Sequence, residues 1–482
     1  MSAVGELRWH HETPPSSARR SGVSGFSVEV TIVSPASLTP TPVPPASSPA
    51  TGRVWASDLA RHAGEPVTIS GWLHHRRSLK AVCFLILRDA SGLAQVVIDD
   101  PETRAVVESL PHESVVTIAG EAVASAQAPG GVEIHHPTVT VVSAAIDDPP
   151  VELYRPDVNV QLPTMLDAAA VSLRHPRRAA IQRLSAAAVE GFRSALRAER
   201  FVEIATPKII ETTPEGGANV FELDYFGKPA YLAQSPQLYK QIMVGALERV
   251  FETAPAFRAE PHATSRHLSQ FVSLDAEMAF IEDHLTVMAM TTVAVSGMIA
   301  AARALKLERA YPDLAIPDVP DVIPDIHFAD ALDLISEATG EDVRAEPDLA
   351  PAHERWLGEW SRRKFGSDWL YVTGYPMAKR PFYTHPDPAR PRWSNSFDLL
   401  FRGLEIVTGG QRLHRYEDYL AALAARGIDS AGFDGYLLAF RHGMPPHGGF
   451  ALGLDRFVAQ VAGIANVRET TLFPRDMQRL TP

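Results

Sequence analysis

Short runs of apolar and β-branched residues dominate the chain between Val54 and about Val142. Glycine, proline or charged residues separate these runs, which read PVTISGWLHH, AVCFLILRDAS, AQVVIDD, SVVTIAGEAV and EIHHPTVTVV. Five strands of this length and spacing are typical of a small barrel. We therefore predict a β-barrel domain over residues 53–146.

The hydrophobic pattern changes after the barrel. Residues 147–175 are interrupted by proline and show no period, which predicts a hinge between domains. Apolar residues then recur at helical spacing from about Pro176 to Arg200. We predict a second, larger domain over residues 176–482, in which a sheet is flanked by helices. The overall fold class is therefore α+β.

Further elements of the second domain follow from local signals. ERFVEIATPKII predicts a strand that Pro207 ends, and QSPQLYKQIMVGAL predicts a helix with Ser235 as its N-cap. Residues 282–375 show the pattern of amphipathic helices that pack on a sheet. A helical insertion is expected near residues 326–365, and we identify no chemistry in it.

The stretch from Phe257 to Phe280 predicts two strands, FRAE and FVSLDAEMAF, joined by a polar loop. Arg258 and Glu260 are two positions apart, so on a strand they point to the same face. Arg266 and His267 in the loop add two more hydrogen-bond donors. This set suits a nucleotide, which combines an anion with a ring rich in donors. The alternative is a hairpin whose charges pair with each other.

Charge along the barrel sequence favours nucleic acid as its ligand. Between Glu65 and Asp89 there is no acidic residue, whereas four cations fall there: Arg76, Arg77, Lys80 and Arg88. Trp72 and Phe84 are interleaved with them. Cations that hold a backbone, together with aromatic rings that stack on bases, are typical of the OB-fold, a five-stranded barrel. We expect Trp72 to be a core residue, whereas the pattern leaves Phe84 open as a core residue or a binding residue.

Composition limits the class of protein. The net charge of −12 excludes a general nucleic-acid coat, so binding must use a local basic surface. The single cysteine, Cys83, fits a reducing cytosol. No window approaches roughly 18 uninterrupted apolar residues, so we expect no membrane span. Residues 1–52 are rich in Pro, Ser and Thr, and we expect them to form a disordered tail.

Three motifs occur in a fixed order behind the predicted barrel. They are a strand ended by proline after a long helix, FRAE followed by a loop and a strand, and GLDR on glycine-rich ground near the C-terminus. Together they resemble the signature motifs of class II aminoacyl-tRNA synthetases. EGGANVF, YLAQSPQLYKQ, SNSFDLLFRGLEI and GGQRLHRY narrow the resemblance to aspartyl-tRNA synthetases of the archaeal and eukaryotic type. It covers the chain from about Val54 to Pro482.

The resemblance implies an ATP site. Arg258 is similar to the arginine that holds the α-phosphate, and Arg456 of GLDR to the arginine near the γ-phosphate. These two are the implied catalytic residues. Glu260 is similar to the residue that accepts from the adenine amino group, and Phe271 to the ring that stacks on adenine. Arg266 and His267 are similar to loop residues that reach the terminal phosphates.

A metal site and an amino-acid pocket are implied in the same way. Asp398 and Glu405, with the Thr408 hydroxyl, are similar to the residues that bind Mg²⁺, which prefers hard oxygen ligands. Two cations similar to those that face the substrate side chain are Lys240 and Arg412. The implied ligands of the substrate ammonium and their neighbours are Glu215, Asp275, Ser235 and Gln237.

The barrel resembles an anticodon-binding domain. Phe84, Gln95 and Glu133 are similar to residues that hold anticodon bases, and Arg76 to a neighbouring contact. His74 occupies a position at which enzymes restricted to tRNA-Asp resemble each other in having tryptophan. Histidine there is similar to enzymes that also charge tRNA-Asn. An amidotransferase partner would convert that second product to Asn-tRNA-Asn.

The resemblance therefore implies a cytoplasmic, homodimeric aspartate–tRNA ligase that uses ATP and Mg²⁺. Alternatives are a strictly discriminating aspartyl-tRNA synthetase, an asparaginyl-tRNA synthetase, and a paralogue that binds tRNA without charging it. Lys240 argues against the second, because a second cation is wasted on a neutral amide. The joint presence of four charged residues argues against the third: Arg258, Glu405, Arg412 and Arg456.

Overall fold

A computed structural model describes residues 52–211, 219–261, 264–305, 307, 310–312 and 314–481. The predicted tail lies outside these ranges except for its last residue, and Glu215 also lies outside them. The elements described below belong to the unit Val54–Pro482.

The strands of the predicted barrel lie between Pro66 and Ser143. They are β1 (Pro66–Ser78), β2 (Cys83–Arg88), β3 (Leu93–Ile98), β4 (Val115–Ala124) and β5 (Val132–Ser143), and helix α1 (Pro101–Ser109) joins β3 to β4. The strands close in the order β1-β2-β3-β5-β4. Alternate residues such as Val67, Ile69 and Leu85 point into one buried core. The predicted five-stranded barrel is thus confirmed.

The segment predicted as a hinge contains two short helices, α2 (Leu162–Asp167) and α3 (Ala169–Ser172). The long predicted helix follows as α4 (Pro176–Ala198), with Pro176 in its first turn. The His175 side chain caps it by accepting from the Arg177 backbone N–H. The segment over residues 147–175, which lacks a hydrophobic period, is therefore not irregular throughout, because it contains these two short helices.

The second domain is built on a mainly antiparallel sheet. In the described residues its strands are β6 (Val202–Glu203), β10 (Arg249–Phe257), β11 (Gln270–Ala279), β12 (Asp325–His327), β13 (Trp369–Thr373), β14 (Ser396–Phe401), β15 (Leu404–Gln411) and β16 (His447–Gly453). They lie in the order β12-β13-β14-β15-β16-β11-β10-β6. A separate small sheet contains β7 (Ile209–Ile210), β8 (Glu222–Tyr225) and β9 (Lys228–Leu232).

Helices accompany the large sheet. They are α5 (Gln237–Leu247), α6 (His284–Ala304), α7 (Phe328–Thr339), α8 (Pro351–Phe365), α9 (Tyr416–Ala425), α10 (Asp434–Arg441) and α11 (Leu454–Ala462). Helices α4, α6 and α11 share the main core with the central strands. The predicted insertion, with α7 and α8, packs against β13 and β14 in a second apolar cluster that includes Phe328, Leu357 and Leu370.

Three local predictions were wrong. ERFVEIATPKII forms only the two short strands β6 and β7. The N-cap of α5 is Pro236, although the Ser235 hydroxyl accepts from the Gln237 backbone N–H at 3.4 Å. Strand β10 ends at Phe257, so FRAE does not continue it.

Helix α6 is apolar on all sides rather than amphipathic. Among the helices that the structure describes, α6 alone is long and apolar enough to cross a membrane. Half of its most apolar stretch of 18 residues is buried inside the protein. Its Met290, Val295 and Met298 lie in the main core. A helix that is apolar all round is typical of a buried core element, and α6 occupies that position here.

Helices α4 and α6 approach each other through two glycines. A Cβ atom on Gly297 would lie 2.7 Å from Ala195 Cβ and 2.8 Å from Gly191 O, and one on Gly191 would lie 2.4 Å from Gly297 O. The contact therefore excludes any side chain. Helices α4 and α6 both pack in the main core with the central strands. Their close contact therefore fixes the position of both helices in that core.

Substitution of Gly297 with Val should destabilise the protein by about 1–3 kcal/mol, because the added side chain forces the two helices apart. The check is a lower midpoint of thermal unfolding. Gly435→Val on α10 is the matched control, since a Cβ there meets nothing within 4 Å. Equal midpoints for the two variants would contradict the proposed tight contact.

Candidate active site

One cavity lies over the central strands β11, β15 and β16. Its lining includes eight residues singled out in the sequence: Arg258, Glu260, Arg266, His267, Phe271, Glu405, Thr408 and Arg456. They come from the segment after β10, from β11 and β15, and from the start of α11. The structure thus brings together residues that are up to 198 positions apart in the chain, as the numbers 258 and 456 show.

Arg258 and Glu260 reach this cavity from an irregular segment, not from a strand. The Arg258 backbone N–H donates to Ser269 O at 2.9 Å, and the Ala259 N–H donates to Asn219 O at 2.7 Å. The Arg258 guanidinium lies 5.4 Å from the Phe271 ring centroid, within reach of a cation–π contact. The predicted same-face geometry of a strand is wrong, but both side chains still line one cavity.

The loop residues are held on several sides. Thr264 Oγ1 lies 2.6 Å from His267 Nδ1, and Arg468 Nη1 donates to Thr264 O at 2.8 Å. Arg266 Nη2 donates to both carboxylate oxygens of Glu354, at 2.9 and 2.7 Å. Burial, followed by the charge of Arg456, lowers the pKa of His267. Arg266 and His267 are therefore held in defined orientations at the edge of the cavity.

Glu405 and Thr408 lie on β15 beside Arg456. The Thr408 hydroxyl donates to Glu405 Oε1 at 2.8 Å, and Arg456 Nη1 donates to Glu405 O at 3.2 Å. Burial opposes ionisation of Glu405, but Arg456 and Thr408 together hold its pKa below the ordinary value. This carboxylate is therefore ionised at neutral pH.

Asp398 lies on β14 directly opposite Thr408. Arg380 Nη2 donates to its Oδ1 at 3.0 Å. Burial raises the pKa of Asp398 to about 7; Arg380 opposes this change and the charge of Glu405 adds to it. Two carboxylates, of which Glu405 raises the pKa of Asp398, form with the Thr408 hydroxyl a donor set that fits a hard divalent cation. The described residues contain no group of three or more His, Cys, Asp or Glu side chains able to hold a metal.

Four buried charges lie next to the cavity. Lys240 Nζ donates to Asp275 Oδ1 at 2.9 Å and lies 3.4 Å from Glu277 Oε2. Arg412 Nε donates to Glu277 Oε1 at 3.0 Å. The hydroxyl of Ser273, which lines the cavity, donates to Asp275 Oδ2. Two cations and two carboxylates thus form one electrically neutral cluster.

Glu277 was missed in the sequence, although its position carried a signal. It is two residues from Asp275 on β11, so both side chains point to the same face. Its side chain is fully buried. Burial alone would raise the pKa of Glu277, but Arg412 and Lys240 outweigh it and lower the pKa.

A neutral hydrogen-bond network backs this cluster. Gln237 Nε2 donates to Gln241 Oε1, and Gln241 Nε2 lies 3.1 Å from His447 Nε2. His447 Nδ1 lies 2.9 Å from Pro445 O, so it carries the proton and Nε2 accepts. Burial lowers the pKa of His447 to about 4, which keeps it neutral. Gln237 is therefore a buried residue of this network.

On the barrel, three predicted anticodon residues share one outer face. Phe84 on β2 and Gln95 on β3 alternate with inward residues, and Gln95 pairs with Glu133 of β5. Gln95 Nε2 donates to Glu133 Oε2 at 2.8 Å. The side chains of the other two predicted contact residues, Arg76 and His74, have partners within the protein. Arg76 donates to the carbonyls of Val107 and Leu110 at the end of α1.

His74 is buried, with 5% of its surface exposed, and its Nδ1 lies 3.9 Å from Glu113 Oε1. Glu113 also accepts from Arg88 Nη2 at 2.6 Å and from Arg174 Nη1 at 3.2 Å. The structure therefore does not place His74 on the outer face with Phe84. It places it beside the carboxylate that joins the barrel to the segment before α4.

Comparison with known proteins agrees with this geometry. Residues 161–477 match the family model of tRNA synthetases class II (D, K and N), and residues 67–142 match that of the OB-fold nucleic acid binding domain. The chain is 45% identical over 435 residues to the Aspartate--tRNA(Asp/Asn) ligase of Thermus thermophilus, covering 89% of this chain and 100% of the relative. It is also 45% identical over 437 residues to that of Deinococcus radiodurans, covering 89% and 99%.

A solved structure shares the fold along most of the chain. The crystal structure of asparaginyl-tRNA synthetase from Pyrococcus horikoshii complexed with asparaginyl-adenylate superposes with a TM-score of 0.83 and 31% sequence identity. The match covers 89% of this chain and 99% of that chain. With a barrel, a sheet and a charged cavity arranged as described, this chain belongs to the class II tRNA synthetases of the D, K and N group.

Proposed function

We propose that this protein activates L-aspartate with ATP, forming aspartyl-adenylate and diphosphate, and then transfers the aspartyl group to the 3′ end of tRNA with release of AMP. The observation that carries the proposal is the buried cluster of Lys240, Arg412, Asp275 and Glu277 beside the cavity. The relatives named as aspartate–tRNA ligases support the same reaction.

In this proposal the cavity binds ATP. Arg258 neutralises the α-phosphate, and Arg266 and His267 bind the terminal phosphates. Glu260 accepts from the adenine amino group while Phe271 stacks on the ring. Arg456 contributes positive charge from the opposite wall. These residues line one cavity, so they act on one ligand and supply positioning and charge stabilisation.

We propose that Asp398, Glu405 and Thr408 hold Mg²⁺ together with phosphate oxygens. When bound, the ion neutralises phosphate charge as diphosphate leaves. The attacking group is the amino acid's own carboxylate, which is ionised at neutral pH, so no general base is required. The protein's task is to align this carboxylate with the α-phosphate, close to Arg258.

In this proposal the protein selects the amino acid by whether its side chain accepts or donates hydrogen bonds. Arg412 uses Nε for Glu277 and Nη2 for Gly449 O, so its Nη1 remains for the substrate within the described residues. The side-chain carboxylate of aspartate accepts hydrogen bonds from this cation. The NH₂ group of asparagine is itself a donor, so it cannot accept from the cation. Each charge-assisted bond contributes about 1.5–3 kcal/mol, so aspartate is preferred by roughly 10- to 150-fold per bond lost.

We assign the substrate ammonium to two carboxylates, Asp275 and Glu215. Asp275 accepts from Lys240 and Ser273, which supports a fixed orientation of this carboxylate. Glu215 is proposed from the resemblance alone, since it lies outside the described residues. Ser235 and Gln237 stand at the start of α5 and support the same corner of the pocket.

We propose that the barrel binds the anticodon through Phe84, Gln95 and Glu133, with Arg76 and His74 in supporting positions. Both tRNA-Asp and tRNA-Asn are proposed substrates, as in the relatives named for Asp and Asn. Aspartyl-tRNA-Asn then needs an amidotransferase partner. Cys83 is a buried free thiol and α6 packs in the core, which supports a cytoplasmic location.

A homodimer is proposed through the surface around Pro207. The outermost strand, β6, has one sheet neighbour, and Val202 on it is 45% exposed. Ile209 and Phe226 are also exposed, at 47% and 89%. An open sheet edge with exposed apolar side chains is a surface that a second chain covers.

Purified protein should catalyse ATP–diphosphate exchange with aspartate and Mg²⁺, and Arg412→Ala should lower kcat/KM for aspartate by roughly 30-fold to more than 1000-fold. Truncating one member of a buried charge pair costs about 2–5 kcal/mol. Arg415→Ala is the matched control, because that side chain is 65% exposed. A faster ATP–diphosphate exchange with asparagine or lysine than with aspartate would contradict the proposal.

Charging of purified transcripts measures the tRNA range. We expect aspartate to be attached to both tRNA-Asp and tRNA-Asn, since the relatives of this chain are named for both. Charging of tRNA-Asp alone establishes a discriminating enzyme. Binding of tRNA without charging of either transcript establishes a paralogue that has lost catalysis.

Light scattering should give a mass of twice 52.5 kDa for the wild-type protein. Ile209→Asp should shift the population toward the single-chain mass, because an interface that buries a charge without a partner is destabilised. Val322→Asp is the control, since Val322 is 83% exposed and lies before the insertion, far along the chain from Ile209. A single-chain mass for the wild type at micromolar concentration rejects the dimer.

A further inference from the structure

Glu354 lies on α8, in the insertion where the sequence indicated no chemistry. Its side chain is 7% exposed and forms an ion pair with Arg266. Its Oε2 accepts at 2.7 Å from Arg266 Nη2 and at 2.8 Å from the backbone N–H of Glu405. One carboxylate therefore contacts both the loop that carries the phosphate-binding donors and the strand that carries a proposed metal ligand.

Two glycines bring α8 close enough for these contacts. A Cβ atom on Gly358 would lie 2.5 Å from Gly403 N and 2.6 Å from Gly403 Cα. Gly403 has a φ of +72° in the turn between β14 and β15. Helix α8 therefore packs directly on the backbone of this turn. Glu354, one helical turn before Gly358, is thereby placed beside Glu405.

The contacts leave part of the Arg266 guanidinium for a ligand. Nη2 is used by Glu354, whereas Nε is buried and has no partner in the described part of the chain. The backbone is fixed too, because Arg266 O accepts from Arg456 Nε at 3.3 Å and Ser265 O accepts from the Val467 N–H. Arg266 also lines the ATP cavity. The Nη2 atom of the guanidinium is therefore anchored by Glu354 at the wall of that cavity.

Glu405 is oriented by the same carboxylate. The β14–β15 pairing shifts its register between Leu399 and Leu400, so Ile406 has no partner across the ladder. Bulges of this kind change the direction of neighbouring side chains and are common beside active sites. The N–H of Glu405, at the start of this bulge, donates to Glu354.

We propose that Glu354 is a positioning residue for the terminal phosphates of ATP. It anchors Arg266 through Nη2 so that the rest of the guanidinium binds phosphate, and it holds Glu405 in the bulge. The insertion is thereby a structural part of the ATP site, and it acts through Arg266 and Glu405 without touching the reacting atoms. The inference rests on the proposed assignment of this cavity to ATP.

The test compares nucleotides with and without the terminal phosphates. In Glu354→Gln one acceptor oxygen becomes a donor and the charge is lost, so Arg266 loses its two-point anchor. The Kd of ATP, measured directly by calorimetry, should rise roughly 5- to 30-fold. The Kd of AMP should be unchanged, because AMP has no terminal phosphates. Glu359→Gln on the same helix is the control, since Glu359 is 69% exposed.

Further variants separate positioning from a general structural role. Glu354→Asp keeps the charge and should restore part of the ATP affinity. In an Arg266→Ala background, Glu354→Gln should add less than about 2-fold, because its effect passes mainly through that arginine. Hydrogen exchange of residues 264–268 should be faster in Glu354→Gln than in wild type.

The outcomes are distinct. Equal losses of ATP and AMP affinity in Glu354→Gln reduce Glu354 to a structural residue and overturn the inference, as does an unchanged ATP Kd. Absence of aspartate-dependent exchange in the wild-type protein instead defeats the proposed function. If Glu354→Gln does not fold, the comparison of ATP and AMP is made with Glu354→Asp, and equal affinities to wild type overturn the inference.

Discussion

Four charges buried side by side impose the strictest constraint on this molecule. Removing a charge from water costs several kcal/mol, and only a partner with good geometry repays it. Lys240 is 1% exposed and Glu277 is fully buried, so neither is stable alone. The four residues come from α5, from β11 and from the position directly after β15, which makes the packing of these elements a condition for the cluster. The same arrangement leaves the pocket neutral and sensitive to the charge of what enters it.

The elements that follow from local patterns could be predicted from the sequence. Alternation of apolar residues gave the five barrel strands, and helical spacing gave α4. Eight of the residues that line the cavity were also identified, because each stands in a short recognisable motif. Glu277 was within reach, since the pattern Asp-Ala-Glu on a strand places two carboxylates on one face. A strand that is buried on both faces conceals such a pair among apolar neighbours.

Other features depend on tertiary contacts that no local pattern encodes. Glu354 and Arg266 are 88 positions apart and meet because α8 packs on a turn at Gly403. Arg380 reaches Asp398 from an irregular segment. Strand β10 ends at Phe257 because Ser269, opposite Arg258, donates its N–H to Arg475 O, and Ala259 donates to Asn219 O, so neither continues the ladder. In each case the partner lies on another element, and its approach is set by packing.

The carboxylate of Glu113 gives the barrel an electrostatic connection to the rest of the chain. It accepts from Arg88 within the barrel and from Arg174 just before α4, with His74 at its other oxygen. A residue at position 74 therefore acts on the same group that fixes the barrel to the catalytic half. In the proposed function, selection of tRNA at this position depends on how the two halves are joined as well as on which base is touched.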